Sequence, residues 1–514
     1  MDTLALLGGL LAFDVLLAVF AGVLIGILVG AIPGLNGAIG ISLLLPLTFA
    51  LEPQVGLLLL GGIYMGCMYG GSITAILINV PGDVVAAPVA MEGYPMTQQG
   101  RAKEALYYSI FSSMFGGLIG VIVLILFTPP LARFALQFGP AEMFFIALSG
   151  LIIVGALSGS FLKAAFAVLF GLFLSTVGID AIAGAERFTF GSAELRQGIS
   201  VVPVVLGLFC ISEMLLNIGK KASEQVTYRE QDISRMTVIR DIVRRYWIVV
   251  KGGTIGTVVG LLPGVGTTLA VFMSYAEAKR SSKTPEMFER GNPEGIIAAE
   301  SANNATVGSS LVPLLALGVP GSPTSAIIAG ALVIHGIILG PSLFVNRPDV
   351  AFIFLYGMLL TVVAMTIIGA FGIKYFSYIL KVRMDYLVPT VLALALFGAY
   401  SLRNSLFDVG LAIALGILGA VFKKVAIPLA PIIIGVVLGP LIESNLSRAM
   451  TIADARGMPL VQYMLSSTLA IGLLVLVLAL LVVVVQMRRR TALAEAEASR
   501  RTSSPDRRVT TEEA

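Results

Sequence analysis

The sequence predicts an all-α, polytopic membrane protein: about eleven spanning helices plus helical hairpins, in two inverted repeats. Three observations carry that fold class: a shortage of charge, apolar runs of membrane length, and an internal duplication. Of the 514 residues, 57% are hydrophobic and 12% are charged. A soluble domain carries about a quarter charged residues, so a soluble chain of this length would lack the charge for its surfaces.

The apolar runs have the length a bilayer needs. Met464 to Val485 holds no charge, and Leu106 to Thr128, Val350 to Gly372 and Ile199 to Ile211 with its flanks read the same way. About 20 apolar residues at 1.5 Å rise cross the hydrocarbon core. Met1 to Asp14 lacks a basic leader, so no cleavable signal is expected. The tail from Met487 onward is polar and charged, which predicts disorder. Cys67 and Cys210 lie in apolar segments without metal-ligand spacing and read as buried thiols.

The duplication is read from two block pairs. Ile25 to Gly40 (IGILVGAIPGLNGAIG) matches Ile255 to Ala270 (IGTVVGLLPGVGTTLA), and the Pro-Gly pairs lie 230 residues apart. Tyr69 to Gly82 (YGGSITAILINVPG) matches Gly308 to Gly321 (GSSLVPLLALGVPG), with an offset of 239. The expected layout is a first repeat over 1–217, a cytoplasmic connection over 218–246 and a second repeat over 247–442. A periplasmic loop with the final spanning helix (443–486) and a disordered cytoplasmic tail (487–514) would follow. Lys220, Lys221, Arg229, Arg235, Arg240, Arg244 and Arg245 place the connection inside by the positive-inside rule, as do the arginines of the tail. Lys279, Arg280, Lys283 and Arg290 do the same for the segment after the second Pro-Gly hairpin. The flanks of the first hairpin, Met1 to Asp14 and Leu51 to Gln54, have no basic residue and read as periplasmic. Hairpins entering from opposite faces make the repeat inverted.

Hydrocarbon penalises unsatisfied backbone groups, so a broken helix at membrane depth must line protein or water. Pro33-Gly34, Pro81-Gly82, Pro263-Gly264 and Pro320-Gly321 are four such breaks. Small or polar residues follow them: Asn36, Asp83, Thr267 and Thr268, then Ser322, Thr324 and Ser325. A half-helix starting after a break aims free N–H groups and partial positive charge at the cavity, which suits a carboxylate. The freed carbonyls suit a cation. A single Pro-Gly is also compatible with a packing kink; four breaks paired across a repeat point to a site. Ser72, Thr74 and Asn79 in one half, and Asn303, Asn304, Ser309 and Ser310 in the other, need hydrogen-bond partners in a helix, a ligand or water.

Acidic residues in apolar surroundings are few: Asp83, Glu142, Glu213, Glu300 and Asp14. Asp83 and Glu300 border the repeated motifs and are candidates for a coupling cation or proton, or for a helix cap at the interface. Glu142 follows Pro140 and reads as a cap. His335, the only histidine, has no ligand cluster around it and reads as a packing residue.

The blocks GAIPGLNG, YGGSITAILINVPG, AMEGYPMTQQG and LALGVPGSPTSAIIAGALVIHG resemble the large membrane subunit of the tripartite tricarboxylate transporters. The resemblance runs in order over nearly the whole chain. It implies cation-coupled uptake of small organic carboxylates across the bacterial inner membrane, with no organic cofactor. It also implies a small four-helix membrane subunit and a periplasmic solute-binding protein as partners, and none of nucleic acid. The binding positions it implies are Gly34, Asn36, Gly37, Gly70, Gly71, Ser72, Asn79, Gly82, Gly264, Thr267, Thr268, Gly321, Ser322, Thr324 and Ser325. Asp83, Asn303, Asn304 and Glu300 would serve the coupling ion, Na⁺ or H⁺. Two residues depart from the family pattern: Glu92, where Asp is frequent, and Asp83, where Thr or Ser is usual. A carboxylate at Asp83 opposes an anionic substrate unless it binds a cation. An anion channel or an intramembrane hydrolase shares parts of this pattern. Coupling to an ion gradient separates a transporter from a channel, and VPGD offers one aspartate where an aspartyl protease needs two.

Overall fold

The computed structural model describes residues 3–32, 35–157, 160–180, 184–218, 233–262, 266–376, 384–479 and 482. In the first half lie α1 (Phe13–Gly30), α2 (Gly37–Leu44), α3 (Pro53–Ile78), α4 (Ala87–Gln98), α5 (Ala102–Ala135), α6 (Pro140–Leu157), α7 (Phe161–Thr176) and α8 (Val201–Asn217). A short helix, α9 (Arg235–Arg244), precedes the second half. There follow α10 (Tyr246–Leu261), α11 (Thr267–Ser281), α12 (Pro293–Leu317), α13 (Pro323–Ile334), α14 (Pro348–Gly372), α15 (Met384–Ser401), α16 (Leu406–Lys424), α17 (Ala430–Ala455) and α18 (Thr468–Ala479). Among the described residues, the strands are a two-residue pair, with Gly178 opposite Arg187 and Ile179 opposite Glu186.

Six described helices are long and apolar enough to cross a membrane: α1, α3, α5, α14, α16 and α17. Shorter apolar helices of 10–17 residues, among them α7, α8, α15 and α18, accompany these six among the described residues. The run from Met464 to Val485 appears as α18, and its end lies outside the described residues, as do residues 219–232 of the connection between the halves and the whole of the tail. Helix α8 contains a π turn over Leu206–Ile211 that its sequence did not announce.

Glycine sets the centre of the fold. A Cβ at Gly22, Gly26 or Gly30 of α1 would be driven into the carbonyl oxygens of Leu59, Ile63 or Cys67 of α3. The same three-residue stripe recurs 230 residues later as Gly252, Gly256 and Gly260 on α10. These face the carbonyls of Ala298, Ala302 and Thr306 on α12, the positions 239 residues beyond Leu59, Ile63 and Cys67. Without hydrophobic drive between helices in lipid, such close backbone approach supplies the packing energy. Gly116 and Gly120 of α5 meet α12 along a neighbouring row, at the carbonyls of Ser301 and Ala305. In the second half α14 takes the corresponding role, packing on α3 and α1. Helices α3 and α12 are thereby enclosed on all sides, and nearly every residue of each is buried.

The two halves are inverted. Asn303 of α12 donates to the Met68 carbonyl of α3 at 3.0 Å, and Ser310 pairs with Tyr64 at 3.3 Å. As numbering rises on one helix it falls on the other, so these equivalent helices cross antiparallel. The outer helices exchange between halves: α6 and α7 pack on α17, and α8 packs on α15 and α16. The exterior is apolar, with Leu17, Leu24, Leu126, Phe127 and Phe371 exposed, as a hydrocarbon-facing surface requires.

Candidate functional site

Both central helices end in the same way. Asn79 closes α3 at φ 55° and Gly318 closes α12 at φ 77°, the left-handed geometry of a helix stop. In each, the next amide reaches back six residues: Val80 to Thr74 at 3.4 Å, and Val319 to Pro313 at 3.2 Å. The chain then turns back on its own helix. Gly82 donates to the Gly71 carbonyl at 3.1 Å, and a Cβ there would overlap Gly30 at the end of α1. Gly321 occupies the matching place, where a Cβ would lie 2.7 Å from the Ser310 carbonyl oxygen and 2.9 Å from that of Gly260. Each half thus brings three segments to one tip: the end of its first helix, its central helix and its returning loop.

Half-helices begin at these tips. Asn36 caps α2, accepting from the Ile39 amide at 3.1 Å, and α11 starts at Thr267 after Gly266 at φ 79°. Ser322 and Ser325 form a reciprocal capping box at the start of α13, with bonds of 3.0 and 2.8 Å. Tyr64, from the opposite half, places its hydroxyl 3.1 Å from Ser322 and 3.3 Å from Ser310. Ser322→Ala is expected to cost about 1–2 kcal/mol, measured as earlier thermal unfolding of detergent-purified protein; unchanged unfolding would contradict the box.

Beside the first tip lies a polar cluster. Glu300, fully buried on α12, accepts from Ser109 at 2.6 Å and Ser113 at 2.9 Å, both on α5, and the Ser72 hydroxyl of α3, buried and without a hydrogen-bond partner, stands near the same carboxylate. Among the described residues no basic side chain pairs with it. The Asn303 and Asn304 Oδ1 atoms, the Ser112 hydroxyl and the Tyr69 hydroxyl are buried there without a partner. Unmet polar groups at this depth are costly. The cluster gathers buried carboxylate, amide and hydroxyl oxygens, donor types that can take up a proton or a hard cation.

A profile described as "Tripartite tricarboxylate transporter TctA family" matches residues 16–434. The chain belongs to that family. It is 38% identical over 462 residues to an "Uncharacterized 52.8 kDa protein in TAR-I ttuC' 3'region" of Agrobacterium vitis, covering 88% of this chain and 91% of the relative. A second A. vitis protein, from the "TAR-II ttuC' 3'region", is 38% identical over 225 residues, 43% of this chain and 91% of its own. No solved structure matches. The protein is a multi-pass membrane component of a tripartite tricarboxylate transport system.

Within this TctA-family chain, the residues expected at the site separate into groups. Asn36, Gly37, Gly71, Gly82 and Asp83 meet at the first tip, and Thr267, Gly321, Ser322, Thr324 and Ser325 belong to the second. Thr268 follows Thr267 in the first turn of α11. Gly34 and Gly264, with their prolines, lie outside the described residues. Gly70 packs against the Ile27 carbonyl, and Asn79 forms the helix stop. Ser72 belongs with Glu300, Asn303 and Asn304 in the polar cluster.

Glu142 caps α6, accepting from the Gly139 amide at 3.0 Å and from Ser467. His335 ends α13 and stacks loosely on Phe49, a packing role. Glu213 pairs with Lys423, and both cysteines are buried and free. Tyr64, Ser109 and Ser113 were not singled out from the sequence. Aligning the halves at an offset of 239 sets Tyr64 opposite Asn303, which is the signal that finds it.

Proposed function

We propose that this chain is the permease subunit of a binding-protein-dependent secondary transporter that imports small organic carboxylates by alternating access, coupled to Na⁺ or H⁺. The observation that supports it is the pair of tips at the antiparallel crossing of α3 and α12, each built from a broken helix inside the protein. Substrate carboxylate sits on the half-helix N-termini and hydroxyls around Thr267, Thr268, Ser322 and Thr324. The coupling cation is held among Asp83, Glu300, Asn303 and Asn304. Ion and substrate bind cooperatively because the cation offsets the charge of each bound anion and orders the site.

The partners are a small four-helix membrane subunit and a periplasmic solute-binding protein. The location is the bacterial inner membrane, with the tail in the cytoplasm. The test is carboxylate uptake by cells carrying all three components, with each component omitted in turn. Uptake should require all three. Full uptake without the binding protein, or none of any carboxylate with the complete set, would reject the reading.

A further inference from the structure

The two halves begin with a short helix each, and the two helices carry unlike surfaces. The second half begins with α9, whose sequence is RMTVIRDIVR, and a turn into α10. From Arg235 to Lys251 the chain holds five basic residues and one acidic. The inner side of α9 is anchored to the protein. Val238 and Ile242 are buried, Arg235 stacks on the Phe371 ring of α14 at 4.2 Å, and Asp241 accepts from the Tyr108 hydroxyl of α5 at 2.5 Å. Asp241 also pairs with Arg245, at 3.1 Å. The outer side presents Met236, Arg240, Val243 and Arg244, whose spacing of three and four puts them on one helix face. All four are exposed, and neither Arg240 nor Arg244 forms an ion pair among the described residues. Tyr246 and Trp247 follow, exposed and stacked at 5.2 Å. Trp247 borders a recess at the open end of the α10–α11 hairpin, where Lys251 meets Glu277 at 3.3 Å. Under the 230-residue offset, Arg240 matches Leu10, Arg244 matches Asp14, Trp247 matches Leu17 and Lys251 matches Ala21. The helix at that place, Thr3–Leu10, has no charged residue. The arginines are therefore not what the repeat needs to fold, and the inversion sets the two helices at opposite membrane faces.

We propose that α9 and the Tyr246–Trp247 turn bind an anionic phospholipid of the surrounding bilayer, with the lipid phosphate on Arg240 and Arg244 and an acyl chain along Met236, Val243 and Trp247. Arginine interleaved with apolar side chains is the pattern of a helix lying in the headgroup layer. Tryptophan and tyrosine seek the same depth. Each arginine near an anionic leaflet adds to the attraction. A free phosphate ion has no use for the apolar side chains, which favours lipid. The phosphate stays on α9 and does not enter the recess, because Glu277 lies there and already takes Lys251 and Arg280.

Lipid binding is measured without transport, so its outcome is separate from that of the uptake test. Trp247 is the only tryptophan of the chain, and its fluorescence reports on this face alone. The full chain would be placed in phosphatidylcholine nanodiscs with a minor fraction of lipid brominated near the top of the acyl chain, phosphatidylglycerol in one set and phosphatidylcholine in the other. Bromine quenches tryptophan on contact. Quenching of wild type should favour phosphatidylglycerol about tenfold in relative association. The double variant Arg240→Gln/Arg244→Gln should be quenched alike by both lipids, and a thermal-unfolding trace checks that it is folded. Equal quenching by the two lipids in wild type, or an undiminished preference in the folded double variant, would overturn the proposal. Loss of the preference when inorganic phosphate replaces chloride at equal ionic strength would assign the arginines to a free ion and overturn it too. Loss on adding the small membrane subunit would assign the face to a protein, with the same consequence.

Discussion

Glu92→Ala is expected to destabilise the protein by about 3–5 kcal/mol, because it strips one acceptor group from four buried donors at once. The Glu92 carboxylate is fully buried on α4. It accepts from the Tyr275 hydroxyl and the Glu289 amide, each at 2.7 Å, from the Asn292 amide at 2.8 Å and from the Gly291 amide at 3.1 Å. Tyr275 lies on α11, and the three amides lie in the segment leading into α12. One side chain of the first half thus fixes the entry to the central helix of the second. Alanine leaves Gly291, Asn292, Glu289 and Tyr275 facing a void. Asp, one methylene shorter, should reach part of the set and cost less. Chemical denaturation in detergent micelles would show the order wild type, Asp, Ala. Equal midpoints for wild type and Ala would refute the latch.

The second large effect falls on Glu300. Glu300→Gln keeps the volume of the side chain and its contacts with α5, but removes a charge and the capacity to take up a proton. Ser109 and Ser113 both donate to the carboxylate. With an amide in its place, one of them faces an N–H₂ group and must turn. The variant should insert and fold, bind carboxylate weakly, and lose gradient-driven accumulation. A coupling free energy of ordinary size corresponds to about 5–150-fold in affinity. The readout is the ratio of uptake with and without an imposed gradient. A ratio unchanged from wild type in Glu300→Gln would remove Glu300 from the coupling step.

The architecture was legible in the sequence to the extent that it is written in hydrophobic length and in the Pro-Gly breaks. The duplication is the clearest case, since offsets read from four short blocks reappear as backbone contacts of Gly22, Gly26 and Gly30 and of Gly252, Gly256 and Gly260. The same stripes carry glycines at every fourth position, a signature that points directly to helix pairs in lipid. The breaks that build the tips were legible, since a helix must stop and restart there, and so was Glu300, where charge stands out against an apolar run. Tyr64 escaped because a tyrosine in an apolar helix reads as packing, and its partners Ser310 and Ser322 lie in the other half. Glu92 stood out only as a departure from the family pattern; its structural part was not legible, because the 289–292 amides that close over it lie in the other half. Gly70 and Asn79 fell on the motif, and the structure gives each a backbone part that the motif did not announce, close packing for Gly70 and the helix stop for Asn79.

The central claim, a coupled carboxylate permease, is tested most directly in proteoliposomes carrying this chain, its small membrane partner and the binding protein. Radiolabelled carboxylate uptake would be followed with an imposed Na⁺ gradient, with an imposed pH gradient, and with neither. Accumulation above equilibrium under one gradient is the predicted result, and it would name the ion. Equilibration that stops at equal concentrations under every gradient would contradict coupling and leave the membrane fold carrying a passive pore.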